Sequence, residues 1–236
     1  MKLALFAPPL LASLLIACGG GSDTPDSAVS ESSARQALPG MVLQRVDVAA
    51  DLANIGGEFS TNKEAAAGLG TGPTEEQLDA WGRVLGYRGD FQAQAAAAKS
   101  AIIAVTTSVS IYATAQGAAD SIEDRIRQAR AVDWQQSHSD LETFAQVELK
   151  RDVPADDMLW LRFTGFKETR PGNRVIVSDD QIVFRVGQVW GFVGAVSTAE
   201  KGQDDRNVLL PQIETLVRKQ ITHMRDALES GLLRAQ

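Results

Sequence analysis

The chain has 236 residues, a formal net charge of −7 and 44% hydrophobic residues. The acidic balance argues against a strongly basic surface of the kind that binds nucleic acid or anionic lipid. A single cysteine excludes an internal disulfide framework, so a folded domain in this chain must rest on its hydrophobic core.

The first residues have the pattern of a signal peptide. A short positive start is followed by an apolar run over 3–16 and by small residues around Cys18. Crossing a bilayer as a helix takes about 20 apolar residues, and Pro8 and Pro9 interrupt this shorter run. We therefore predict that residues 1–17 are cleaved off rather than kept as a membrane span.

Cys18 is the only cysteine of the chain and ends the sequence Leu15-Ile16-Ala17-Cys18. This sequence resembles the lipobox that lipoprotein signal peptidase recognises. The resemblance implies cleavage before Cys18, diacylation of its sulfur by palmitate-type chains, and often a further acyl group on the new N-terminus. Two or more chains anchor stably, since each buried CH₂ contributes about 0.8 kcal/mol. The alternative is an ordinary secretory signal that carries a cysteine by chance.

Residues 18–37 are rich in Gly, Ser, Thr, Asp and Pro. This composition buries too little apolar area to offset the entropy of ordering, so we predict a flexible tether with a reach of about 20–25 Å. Residues 38–236 then form one globular domain. Gly19 is not the aspartate that retains lipoproteins at the inner membrane, which implies the outer membrane if the organism has one.

The first half of the domain has patterns of both strands and helices. In chain order, it is predicted to contain a strand over 41–46, a helical turn or loop over 50–57, a short helix over 64–69, a capped helix over 74–85 that Gly86 ends, strands over 87–95 and 101–112, and a helix over 118–132. The capped helix has the clearest local signal, because Thr74 and Gln77 form a capping box.

The second half of the domain has the strongest strand character. Strands are predicted over 144–150, 158–167, 174–178, 181–186 and 189–197. Asp179 and Asp180 are interpreted as a break in this series, and Gly187 as the residue of positive φ in a hairpin turn. The strands lie too close together for βαβ crossovers. The predicted fold class is therefore α+β, an antiparallel sheet packed with helices.

An amphipathic helix is predicted over 211–228. Its apolar stripe comprises Ile213, Leu216, Val217, Ile221, Met224 and Leu228.

Candidate catalytic and metal-binding residues are few. His138 stands in Ser137-His138-Ser139-Asp140, where neighbouring residues cannot normally form a catalytic triad, so we predict a solvated loop. His223 is predicted to be a partly exposed helix residue. Three acidic doublets, at 156–157, 179–180 and 204–205, are interpreted as turn residues rather than calcium ligands. We expect no catalytic residue, no metal and no cofactor.

Aromatic residues cluster in the second half of the domain: Trp160, Phe163, Phe166, Phe184, Trp190 and Phe192. Their alternation along the predicted strands places rings on both faces of the sheet. One interpretation is a core covered by helices. The other is an apolar pocket or groove, formed by these residues, that binds a lipid-like or small ligand.

Several segments together resemble a broad set of uncharacterised bacterial lipoproteins. They are 62–67 (NKEAAA), 81–87 (WGRVLGY), 110–112 leading to 117–118, and 183–189 (VFRVGQV), and they span nearly the whole mature domain. The resemblance implies an antiparallel sheet between helices, similar to the PsbP/Mog1-like fold or to exported sensor-type lipoprotein domains. It implies no particular activity and no catalytic residues.

The leading functional hypothesis is a non-enzymatic binding or interaction domain of the cell envelope. Its expected partners are the lipid bilayer, through acylated Cys18, and an envelope protein. The alternative is a carrier of lipid or of a small apolar ligand on the aromatic sheet face. An enzyme ranks third, because the sequence offers no residues for catalysis.

Overall fold

The computed structural model describes residues 29–67, 72–94, 100–170, 173–200, 205–231 and 233. These residues form a seven-stranded antiparallel sheet and six helices, which confirms the α+β class. The strands are β1 (Leu52–Ser60), β2 (Arg83–Ala93), β3 (Ser100–Tyr112), β4 (Glu142–Glu148), β5 (Asp157–Arg170), β6 (Asn173–Val186) and β7 (Val189–Glu200). The helices are α1 (Glu31–Met41), α2 (Asn62–Ala67), α3 (Glu75–Ala80), α4 (Ala115–Ala131), α5 (Trp134–Ser137) and α6 (Asp205–Glu229).

Two antiparallel meanders meet in the middle of the sheet. The strand order is β1-β2-β3-β7-β6-β5-β4, so β1 to β3 form one meander and β4 to β7 form the other. β3 and β7 join them, with Val105 opposite Ala195 and Val109 opposite Gly191. The chain reaches the second meander through α4 and α5, and β1 and β4 become the two edges of the sheet.

One face of the sheet is covered by α1 and α6 and carries the larger hydrophobic core. α6 is the amphipathic C-terminal helix that the sequence predicts. Five residues of its predicted stripe are buried and the sixth is partly buried: Ile213, Leu216, Val217, Ile221 and Met224, then Leu228. Trp160 and Phe184 belong to the same core from the sheet side.

α1 occupies a segment that the sequence predicts as part of a tether and the start of a strand. Ser30 caps the helix, because its Oγ accepts a 3.1 Å hydrogen bond from the N–H of Ser33. Ala34, Ala37, Leu38 and Met41 are buried in the core. Packing of an apolar face stabilises such a helix more than residue composition suggests.

The tether prediction is therefore wrong over 31–37, and the predicted strand over 41–46 is wrong as well. Residues 18–28 lie outside the described residues.

The edge strand β1 replaces the predicted turn or loop over 50–57 and pairs with β2. The predicted capping box is confirmed: Thr74 Oγ1 accepts from the Gln77 N–H at 3.3 Å, and Gln77 Oε1 accepts from the Thr74 N–H at 2.9 Å. The helix ends at Ala80, however, and not at Gly86. Gly86 lies in β2, where a Cβ would collide with the guanidinium of Arg83 that crosses the strand.

The opposite face of the sheet carries a smaller core beneath α4, the helix predicted over 118–132. Leu159, Leu161, Phe163 and Val183 form the buried part of this core. The hydroxyl groups of Tyr112 and Ser121 are 2.7 Å apart and join β3 to α4. Burial raises the pKa of the Tyr112 phenol.

β6 runs without a break through Asp179 and Asp180, so the predicted break there is wrong. The strand pairs with β5 on one side and with β7 on the other. Successive side chains of a strand point to opposite faces. Asp180 is fully buried on the α1–α6 side, where the Trp160 indole N–H donates to its Oδ1 at 2.6 Å.

Arg162 faces the same buried carboxylate, with its Nη2 3.6 Å from Asp180 Oδ2. A carboxylate buried inside a sheet requires such partners. The prediction of a break used only the turn preference of aspartate, which carries no information about these partners. The hairpin turn at Gly187 is confirmed, with φ of 56°.

Candidate functional site

A cleft of about 730 Å³ lies beside the segment that joins α4 to β4. We call it the α5–β4 cleft. It is lined by Asp133, Gln135, Gln136, His138, Ser139, Leu141, Thr143 and Phe144. The lining combines neutral amide and hydroxyl groups, which both donate and accept hydrogen bonds, with two rings.

The short helix α5 forms one side of the cleft. Asp133 caps it, because its Oδ1 accepts a 3.1 Å hydrogen bond from the N–H of Gln135. The indole N–H of Trp134 donates to the main-chain oxygen of Ala129 at 2.7 Å and so ties α5 to the end of α4. Gln135 and Gln136 then line the cleft.

The other side of the cleft is a sharp backbone bend at the start of β4. Thr143 has φ of 53°, a left-handed conformation that β-branched residues rarely adopt. On the neighbouring strand, Gly165 has no side chain. A Cβ there would lie 2.7 Å from the Cβ of Leu141 and 3.0 Å from the main-chain oxygen of Glu142. The turn can approach β5 closely because residue 165 is glycine.

His138 lies at the base of the cleft, with a side chain only 11% exposed. Its ring centroid is 4.6 Å from that of Phe163 and 5.3 Å from that of Phe144. Trp134 packs against the other side of this group, with its centroid 5.0 Å from Phe163. The prediction that His138 occupies a solvated loop is therefore wrong.

Both ring nitrogens of His138 lie near oxygen atoms. Nδ1 is 2.9 Å from the main-chain oxygen of Trp134, and Nε2 is 3.2 Å from Oδ2 of Asp179. The Nε2 atom of Gln181 also donates to Asp179 Oδ2, at 3.3 Å. The sequence draws attention to His138 and to Asp179 separately, and pairing across the sheet brings them together.

This arrangement does not suit acid–base catalysis. A catalytic histidine needs a ring nitrogen that can exchange a proton with the reacting group, whereas both nitrogens of His138 already face acceptors. Asp140 binds Lys167 instead, with Nζ 2.7 Å from Oδ2, and this hydrogen bond lowers the pKa of the Asp140 carboxyl. The Ser137 to Asp140 motif thus does not assemble as a triad.

The acidic doublets are held by protein groups where the structure describes them. Asp156 and Asp157 bind Arg185 at 3.1 Å and 2.7 Å. Asp204 lies outside the described residues, and Asp205 begins α6. Across the described part of the chain, no three His, Cys, Asp or Glu side chains come together as a metal site.

The sheet divides the six aromatic residues into separate environments. Trp160 and Phe184 are in the core under α1 and α6, and Phe163 is in the core under α4. This confirms the prediction of rings on both faces.

The remaining three rings are less deeply placed. Trp190 and Phe192 are partly buried beside the smaller core and stack with centroids 6.4 Å apart. Phe166 lies under the guanidinium of Arg174, at 5.1 Å. Because the sheet lies between them, the six rings do not form one groove.

His223 is partly exposed on α6, as predicted, with its side chain 24% exposed and Nε2 3.4 Å from Asp47 Oδ2. Cys18 and the predicted signal peptide lie outside the described residues. Within the described ranges, no helix is both long enough and apolar enough to span a bilayer.

The cleft residues other than His138 and Ser139 were missed by sequence reasoning. Gln135, Gln136 and Thr143 carry no motif, and the N-cap at Asp133 is the one local signal that a helix begins there.

No protein-family model and no curated protein matches the chain. Among solved structures, the chain is similar to one described as the crystal structure of the extracellular domain of PknH from Mycobacterium tuberculosis, with 12% sequence identity and a TM-score of 0.40. The match covers 84% of this chain and 99% of that chain.

Proposed function

We propose that this protein is an exported bacterial lipoprotein, anchored through acylated Cys18, whose domain binds a ligand in the α5–β4 cleft without catalysing a reaction. The observation that carries the binding role is the composition of the cleft. Neutral hydrogen-bonding groups line an open depression beside the rings of His138 and Phe144. Ligand sites typically combine ring surfaces with a few placed polar groups.

The lining favours a neutral ligand that carries many hydroxyl or amide groups, such as a sugar unit of an envelope glycan. Gln135, Gln136, Ser139 and Thr143 can donate to such groups and accept from them. Phe144 and the edge of His138 offer an apolar surface to the ring of a sugar. A strongly charged ligand would find one carboxylate, from Asp133, and no lysine or arginine in the lining.

The non-enzymatic role is supported by the state of the one histidine in the cleft. Its two ring nitrogens are engaged by Trp134 and Asp179. Activating a nucleophile would require breaking one of these contacts.

Anchoring would keep the domain near the bilayer. Val29, the first described residue, is 8% exposed and packs into the main core. It follows Cys18 by 11 positions, and a fully extended chain spans at most about 3.3–3.6 Å per residue. Val29, where the domain begins, therefore stays within about 40 Å of an acylated Cys18.

The alternative role, a carrier of lipid or of a small apolar ligand, gains no support from the rings that suggested it. Trp160, Phe163 and Phe184 are fully buried in two different cores.

Titration with N-acetylglucosamine oligomers tests the binding role. In amide NMR spectra of the processed chain carrying Cys18→Ser, we expect shifts confined to the cleft residues. Gln136→Ala should weaken binding by about tenfold, the loss of one or two hydrogen bonds. Gln92→Ala, at an exposed position of β2, is the matched control and should bind normally. Shifts elsewhere, or none, would contradict the proposal.

Fractionation of cells that express Cys18→Ala tests the anchor separately. We expect the precursor to accumulate unprocessed or the domain to leave the membrane fraction. Normal processing with full membrane retention would refute acylation at Cys18.

A further inference from the structure

We propose that a protonated His138 holds the α5–β4 cleft closed against the sheet, so that residues 133–143 loosen when its imidazole loses a proton. The latch itself is a property of the free protein. Its effect on ligand binding rests on the function proposed above for the same cleft.

The ring of His138 contacts two oxygen atoms. The Trp134 carbonyl can only accept a hydrogen bond, and an ionised Asp179 can only accept as well. At 2.9 Å and 3.2 Å, both contacts are hydrogen bonds only if both ring nitrogens donate. Only the imidazolium has two N–H groups. A neutral ring must give up one contact or turn a nitrogen lone pair toward the carboxylate.

Asp179 is well placed to remain the acceptor. Gln181 also donates to its Oδ2, at 3.3 Å, and helps to hold the carboxylate in place. The hydrogen bond from His138 is then charge-assisted, and such bonds are shorter and stronger than neutral ones.

The other charged groups near the ring are engaged elsewhere. The charged residues on the elements packed against it include Arg130 on α4, Asp133 at the start of α5, Asp140 in the following turn, Glu142 and Glu148 on β4, Lys167 on β5, and Arg174 and Asp179 on β6. Arg130 binds Glu148, Lys167 binds Asp140, and Arg174 binds Glu142. Asp133 caps α5. Asp179 is thus the carboxylate that forms a hydrogen bond with the ring, and Asp140 interacts with the ring through charge alone.

The hydrogen bond between His138 and Asp179 ties the segment to β6. α5 has only four residues, and Thr143 has a strained backbone conformation. All eight cleft-lining residues lie within 133–144. After release of His138, the segment would still be held by the hydrogen bond of Trp134 to Ala129 and by ring packing against Phe163. The ion pairs of Asp140 with Lys167 and of Glu142 with Arg174 would remain as well, so the release would loosen the segment locally without detaching it.

The direction of the effect follows from the chemistry. The latch is closed while the imidazole is protonated and opens when the imidazole is neutral. A ligand in the cleft would then be bound more tightly by the protonated form.

Nitrogen NMR of the histidine rings, with amide hydrogen exchange at several pH values, tests the latch without any ligand. The processed Cys18→Ser chain contains two histidines, His138 and His223. We expect both nitrogens of His138 to carry protons at pH 5. Protection factors of the amides over 134–141 should fall by about tenfold or more as the ring becomes neutral, the loss of one charge-assisted hydrogen bond.

Two variants and a control separate the latch from general destabilisation. Asp179→Asn should lower protection at pH 5 toward the value that the native chain has at pH 8. His138→Gln, which does not titrate, should remove the pH dependence, and His223→Gln should retain it. If His138→Gln fails to fold, the native chain and Asp179→Asn still decide the question.

A neutral His138 at pH 5, or protection over 134–141 that is the same at pH 5 and pH 8, would overturn the latch. The two proposals fail separately. If sugar probes do not bind but amide protection over 134–141 still changes with pH, only the proposed ligand class is refuted. If the probes bind equally at all pH values and amide protection is constant, only the latch is refuted.

Discussion

Replacing Gly165 with alanine tests how closely the cleft segment lies against the sheet. The new Cβ would stand 2.7 Å from the Cβ of Leu141 and 3.0 Å from the main-chain oxygen of Glu142. Neither atom is the free end of a flexible side chain, so the turn must move outward. Overpacking costs about 1–3 kcal/mol, and the better strand preference of alanine offsets roughly 0.5–1 kcal/mol of it.

We therefore expect Gly165→Ala to lower the free energy of unfolding by about 1–2 kcal/mol, which is about 2–8 °C in Tm for a domain of this size. Urea unfolding followed by tryptophan fluorescence measures the loss, and amide NMR shows whether the changes centre on 138–144. Gly89→Ala is the matched control on β2, since its Cβ would meet Thr107 Cγ2 at an ordinary 3.4 Å. Equal stability of Gly165→Ala and the native chain would refute the reasoning.

Three further predictions concern the cores. Leu38→Ala should lower the free energy of unfolding, measured in urea, by about 2–5 kcal/mol because Leu38 is fully buried. Arg35→Ala, on the exposed side of α1, should lower it by less than about 1 kcal/mol. Small losses for both variants would contradict the packing of α1 and favour the predicted tether. Asp180→Ala should cost about 3–5 kcal/mol because it removes the carboxylate that faces the buried Arg162, and a Tm within about 2 °C of the native value would contradict this. Burial raises the pKa of Tyr112 in the folded state, so its contribution is complete below the unfolded pKa of about 10 and is lost as pH rises toward the folded value. Tyr112→Phe should therefore flatten the alkaline loss of stability, and an unchanged slope would show that another group controls it.

The elements that the sequence predicts correctly are those with local causes. The capping box at Thr74 depends on residues three positions apart, and the turn at Gly187 depends on one positive φ. The stripe of α6 and the alternation along β3 repeat with the periods of a helix and a strand. Together these signals were sufficient for the α+β class.

The errors arise where tertiary packing outweighs composition. α1 begins in a segment rich in serine, and only its contact with α6 and the sheet explains why Ala34 and Ala37 are buried. Asp180 suggests a turn when considered alone. Its hydrogen bond from Trp160, 20 positions away, makes a strand possible there.

The candidate site could not be predicted from the sequence because its parts come from distant segments. His138 and Asp179 are 41 positions apart, and they meet because β5 and β6 pair in one register and α5 folds over them. The conformation of Thr143 and the space above Gly165 are likewise products of that packing. The proposed anchor differs in kind, since the proposal for Cys18 rests on a short linear motif.

Intact mass spectrometry of the protein extracted from membranes tests the central claim, that this is an acyl-anchored domain, most directly. We predict a chain that begins at Cys18 and carries a diacylglycerol group on its sulfur, with or without a further acyl chain on the amino group. A chain that begins elsewhere, or an unmodified Cys18, would contradict it.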